Sequence, residues 1–287
     1  MERTRKHILF DHPMLSMFIM PVVLFFAISF AEVPFGGIIK SVLGAGADSH
    51  LVSCISEIAA AGIVLVLHQI WFGKELHHFF SAKNFGHGLL IGAGVLAVPV
   101  FFVTMKVYYT LTGRFEMGNP VLAFFYAFAP GLGEEVIFRI IPISLAMRSR
   151  NKNIIATVLI VTSLIFGLVH SANMLAGADP VQTLMQVIYA TGLGLTYAAI
   201  YLRTGNMWVS VFMHTFTDFN AYFGMSGQQS GGVLADKVTM MVVIGLGALS
   251  VIFFTNALVA FRKSKREEIP AVWDRIWGRE EITEYAA

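Results

Sequence analysis

Residues 119–147 read NPVLAFFYAFAPGLGEEVIFRIIPISLAM. The ionisable side chains in this stretch, Glu134, Glu135 and Arg139, sit near its middle, flanked by Pro130 and Pro142. A helix needs roughly 20 apolar residues to cross the hydrocarbon of a bilayer. This stretch is longer than that, so it spans with tilt, or its first turns lie in the interface.

The same reading extends outward. Further apolar blocks occupy 14–31, 51–72, 88–111, 153–173, 181–202, 206–224 and 238–261, which makes eight expected spans. Of the 287 residues 56% are hydrophobic and 13% charged, whereas about a quarter of a globular protein is charged. A soluble domain of this length needs far more polar surface. The fold class expected is therefore all-α, a polytopic membrane protein with a polar cavity inside the bundle. A net charge of +2 gives no reason to expect nucleic acid as a partner. Cys54 is alone, which excludes an internal disulfide and a cysteine metal site, and its apolar surroundings make it a packing residue.

Basic residues fix an expected orientation. Arg3, Arg5, Lys6, Lys74, Lys83, Arg148, Arg150, Lys152, Arg203, Arg262, Lys263, Lys265 and Arg266 fall on one side of the eight spans; Lys40, Arg114 and Lys237 fall on the other. By the positive-inside rule both termini are cytoplasmic, in the plasma membrane of a prokaryote. The run from Met14 to Ala31 follows basic residues, but it exceeds a usual signal-peptide core and more spans follow, so it reads as a retained helix. Residues 1–263 form one transmembrane domain with its motif-bearing core at 119–224. Residues 264–287 form a cytoplasmic tail. There Trp273 and Trp277 stand one turn apart beside Ile269 and Ile276 among charges, the pattern of an amphipathic helix lying on the leaflet.

An ionisable group inside a bilayer is costly unless it is paired or meets water, so it is read first as functional. Three spans carry such groups: Glu134, Glu135 and Arg139; then His170 after Phe166; then His214 and Asp218. Glu135 and Arg139 are four residues apart and share a helix face, so they are expected to pair. Glu134 is turned about 100° away and lacks that partner, which suits it to act as general base or acid. His214 and Asp218 also share a face. Phe166, one turn before His170, is expected to wall the pocket. Glu57, His68 and Lys106 read as snorkelling or near-interface residues, and His77 with His78 as a solvated loop pair.

These residues resemble the three motifs of the CAAX protease and bacteriocin-processing family, also called the Abi family. The motifs are Glu-Glu-x-x-x-Arg at Glu134, Glu135 and Arg139, Phe-x-x-x-His at Phe166 and His170, and His-x-x-x-Asn/Asp at His214 and Asp218. The resemblance implies hydrolysis of a peptide bond in a membrane-associated protein or peptide. It implies that Glu134 activates water with His170, and that His214 and Asp218 stabilise the oxyanion. Asp in place of the Asn of the prenyl-protein branch leaves two readings: Asp218 donates while protonated, or it orients His214.

No Gly-x-Ser-x-Gly and no His-Glu-x-x-His occurs, so neither a serine elbow nor an ordinary zincin is expected. A metal-free glutamate mechanism is favoured. The alternative is a divalent metal such as zinc on Glu134, His170, His214 and Asp218. The rival functions are a proton-coupled transporter, which would carry inverted repeats, and a non-catalytic bacteriocin self-immunity factor.

Overall fold

The computed structural model describes residues 12–44, 46–72, 81–149, 153–175, 177–223 and 240–277. Among them every regular element is helical. In chain order these are α1 (Pro13–Leu43), α2 (Ser49–Phe72), α3 (Phe85–Ile91), α4 (Ala93–Leu111), α5 (Pro120–Glu135), α6 (Ile141–Met147) and α7 (Ile154–Val169). They continue with α8 (Pro180–Thr204), α9 (Met207–Tyr222), α10 (Met240–Ala260), α11 (Lys263–Arg266) and α12 (Ile269–Ile276). A π-turn, Val136–Ile140, joins α5 to α6, and a 3-10 turn, His170–Met174, extends α7.

Local chemistry sets the helix ends near the site. Asn119 accepts from the backbone N–H groups of Val121 and Leu122 at 2.9 and 3.2 Å, with Pro120 next to it. Asp179 does the same for Val181 and Gln182 at 2.8 and 3.0 Å, with Pro180 next to it. Side-chain acceptors satisfy otherwise orphaned donors, and proline has no N–H to lose at a helix start. Gly205, at φ 65°, closes α8 in the left-handed region that glycine tolerates. Asn206 then caps α9 by accepting from Trp208 N at 2.8 Å.

Among the described residues seven segments are long and apolar enough to cross a membrane, against the eight blocks read from the sequence. The difference is α9: the block read at 206–224 is a 16-residue helix, about 24 Å long at 1.5 Å per residue. It lies against α5, and its first half is mostly buried in the bundle. The first helix runs on through Pro34 to Leu43, well past Ala31. The third block divides at Gly92 into α3 and α4.

Contacts sort the loops onto two ends. At one end Asn84 Nδ2 donates to Thr204 O at 3.1 Å, Asn206 Nδ2 to Lys83 O at 2.8 Å, and Arg203 pairs with Glu268. At the other end Tyr126 Oη donates to Asp48 Oδ1 at 3.3 Å. The His50 ring meets Tyr126 edge-on, and Lys106 Nζ donates to the Asn220 carbonyl. Asp48 lies in the loop between α1 and α2, and the Leu51 N–H that donates to it at 2.8 Å holds its carboxyl below the usual range.

Two expectations change here, for the tail helix and for His68. The tail helix forms, but Trp273 is fully buried in the protein core rather than resting on a leaflet. Its indole N–H donates to the Leu202 carbonyl at 2.9 Å, one of the groups that the last turn of α8 leaves without an intrahelical donor. Lys106 donates to a backbone carbonyl of α9 at the end of the bundle, in keeping with a near-interface residue. His68 is buried at 4% exposure. His77 and His78 lie outside the described residues.

Candidate active site

The site is built where α5, α7 and α9 come together, and small residues permit the approach. A methyl group on Gly131 would stand 3.0 Å from Thr215 N and 3.1 Å from Thr215 Cα, so α5 and α9 touch there backbone to backbone. A methyl on Gly194 of α8 would meet Arg139 at 2.9 Å and Phe166 at 3.2 Å.

Glu134 and Glu135 end α5, and the π-turn follows at once. Pro142 accounts for the wide turn. It has no N–H to give, and its ring crowds the carbonyl four residues back. The chain hydrogen-bonds five residues back there instead, with Ile141 N reaching Val136 O. Such π-turns occur mostly within α-helices and often at functional sites.

Across this turn the predicted pair forms. Arg139 Nη1 is 2.9 Å from Glu135 Oε1, and both side chains are fully buried. The guanidinium also lies 3.7 Å above the centre of the Phe166 ring, a cation–π contact that helps hold a desolvated charge. Phe166 is therefore more than a wall. One face carries Arg139, and its ring meets His170 at 5.0 Å and His214 at 5.8 Å between centroids.

The two histidines are oriented by different partners. His170 Nδ1 lies 2.8 Å from the Phe166 carbonyl. A carbonyl only accepts, so Nδ1 carries the hydrogen and donates, and Nε2 is the ring nitrogen left for other partners. His214 Nδ1 donates to Glu135 Oε1 at 3.0 Å, while Nε2 lies 3.6 Å from both Glu134 Oε2 and Asp218 Oδ2. Glu135 thus holds His214 as well as Arg139, a link between α5 and α9 that spacing within one helix could not reveal. The Glu134 and Asp218 side chains are 30% and 31% exposed, against none for Glu135. The two outer carboxylates are partly exposed and the inner one is not.

Sequence reasoning missed Glu57. Its carboxylate rests on Gly133, the residue before Glu134, so close that a methyl there would overlap it. It is also near enough to Glu134, His214 and Asp218 for their charges to act on it. Glu57 therefore stands beside the candidate site. The signal was present, since it is an acidic residue in the middle of an apolar span, but nothing in the sequence links α2 to the Glu-Glu motif.

The four candidate metal ligands do not form a ready cage. Among the described residues no group of three or more His, Cys, Asp or Glu is placed to hold a metal ion.

Carboxylates and oriented imidazoles are thus gathered among helices long and apolar enough to cross a membrane, with Glu134 and Asp218 partly exposed. Residues 116–220 match the family model described as type II CAAX prenyl endopeptidase Rce1-like, which is the CAAX protease family that the three motifs resemble. That similarity supports a CAAX-type intramembrane protease in general terms. No curated protein and no solved structure matches the chain. The match covers α5 to α9 and excludes Glu57, although Glu57 touches it.

Proposed function

We propose that this chain is an intramembrane endopeptidase that cleaves a peptide bond of a membrane-associated protein or peptide, using water activated by Glu134. The observation that carries the reading is the placement of His214. It is held from behind by buried Glu135, and its Nε2 turns toward Glu134 and Asp218.

Amide hydrolysis needs a base for water, a donor for the oxyanion and an acid for the leaving amine. Glu134 takes the proton of a water that also hydrogen-bonds to Nε2 of His170. The oxygen adds to the carbonyl carbon, and the carbonyl electrons move onto oxygen. His214, protonated at both nitrogens, donates from Nε2 to that oxyanion. Collapse re-forms the C=O bond and breaks C–N, and Glu134 returns its proton to the departing nitrogen. Asp218 faces His214 Nε2 as a carboxylate and orients and neutralises the imidazolium. This favours the orienting role over direct donation.

The test compares peptides released by membranes holding equal amounts of wild type and Glu134→Gln. Fragments formed by the wild type alone support the reading. Fragments formed equally by both overturn it, and no cleavage by either folded protein turns the weight to immunity or transport. Chelators should leave cleavage unchanged. Inhibition by 1,10-phenanthroline that zinc reverses would instead assign Glu134, His170, His214 and Asp218 to a metal.

A further inference from the structure

The burial pattern changes abruptly at the level of the site. On one side, residues 136–147 and 196–207 are buried at every position. They include Phe138, Ile140, Leu145 and Tyr201, which with Trp273 of the tail helix form a closed plug. That plug leads to the end where Lys83, Arg203, Glu268 and the tail meet. On the other side of the site, residues 216–222 of α9 are half-buried at every position, and so are His170 and Asn173.

A polar path follows that half-open side. Tyr222 lies one turn beyond Asp218 and close enough to feel the charges of Asp218, Glu134 and Glu57. Its ring is 6.0 Å from His50 and 5.9 Å from Tyr126, and Tyr126 reaches Asp48 in the exposed loop. His50 Nε2 and Asn220 Oδ1 are buried along this path with no hydrogen-bond partner among the described residues. A buried polar atom without a protein partner calls for water or a ligand. Lipid supplies neither donor nor acceptor, so these groups mark an aqueous or peptide-filled passage.

We infer that the reaction centre opens at the end of the bundle that carries Asp48, His50, Tyr126 and Tyr222, opposite the basic end. The basic loops Lys83, Arg148, Arg203 and Arg262 to Arg266 assign the plugged end to the cytoplasm. The mouth therefore faces the non-cytoplasmic side. Resting on the proteolytic reading above, this makes the substrate a peptide segment that has crossed the membrane or lies in its outer half, not a cytoplasmic tail.

Cys54, the only cysteine, makes the test direct. In a Cys54→Ser background, Tyr222→Cys and Ser264→Cys are treated in intact cells with a charged, membrane-impermeant maleimide. Tyr222→Cys should be labelled in intact cells, and Ser264→Cys only after the membrane is permeabilised. Labelling of Tyr222→Cys solely from the cytoplasmic side, or from neither side, overturns the inference. If Tyr222→Cys fails to accumulate, Tyr126→Cys reads the same mouth. Labelling needs no substrate, so a wrong-side result leaves the role of Glu134 standing, and a failed Glu134→Gln comparison leaves the position of the mouth standing.

Discussion

Glu135 accepts the Nδ1 proton of His214 across 3.0 Å while holding Arg139 at 2.9 Å through the same oxygen. One buried carboxylate therefore serves the fold and the site together, and the two duties can be separated. His214→Ala removes the proposed oxyanion donor and leaves Glu135 paired with Arg139. If His214 donates to the oxyanion as proposed, this variant should lower kcat about 100- to 1000-fold with protein level near that of wild type. Glu135→Gln should lower both, because it also strips the charge that offsets Arg139. Purified, folded Glu135→Gln with normal kcat would sink this double role.

Arg139 is the counterpart. Removing one partner of a fully buried ion pair leaves the other charge uncompensated, at about 3–5 kcal/mol. Arg139→Ala should therefore lose protein level and thermal stability before any effect on chemistry is read. Replacing both residues, as Glu135→Leu with Arg139→Met, should recover much of the stability without restoring cleavage, since His214 has lost its anchor. Thermal unfolding in detergent of the single and double variants checks this. A double variant no more stable than Arg139→Ala would mean that the pair itself is not the source of the loss.

The part of this arrangement legible in the sequence is the part that runs along single helices. The spacing of Glu135 and Arg139 predicts their pairing, and that of His214 and Asp218 their common face. Long apolar blocks locate the spans because a bilayer imposes length directly. Contacts between helices were not legible. The grip of Glu135 on His214, the stacking of Arg139 on Phe166 and the seating of Glu57 on Gly133 depend on which faces meet. Residue spacing does not encode that. At α9 the composition reads as a span although the helix is short, because a helix surrounded by protein need not match the full hydrocarbon thickness. The tail was misplaced because an amphipathic helix looks the same whether its apolar face meets lipid or Leu202 and Tyr201.

Glu57 offers a test of reach beyond the matched segment. It stands beside the peptide that carries Glu134, and unit charges a few ångströms apart in a partly dry site interact by a few kcal/mol. Glu57→Gln should accumulate normally, change kcat/KM about tenfold and move the pH–activity profile. A residue that merely packs would leave the profile in place. Gly133→Ala, which forces the Glu57 carboxylate aside, should reproduce the change in a chain that still has both glutamates. An unmoved profile in both variants would remove Glu57 from the site.

The tail makes the last prediction. Trp273 is fully buried, its N–H satisfies the Leu202 carbonyl, and its ring meets Tyr201 edge-on at 5.4 Å. Glu268 pairs with Arg203 at the same end, and Arg148 lies 5.0 Å over the Trp277 ring. These contacts join α12 to the C-terminal end of α8, the helix whose Gly194 packs against Arg139 and Phe166. Trp273→Ala empties a large buried volume and should cost about 3–5 kcal/mol, read as a lower unfolding temperature in detergent. A helix merely resting on lipid would leave that temperature unchanged and lose only membrane affinity, so the size of the thermal shift distinguishes a structural clasp from a surface anchor.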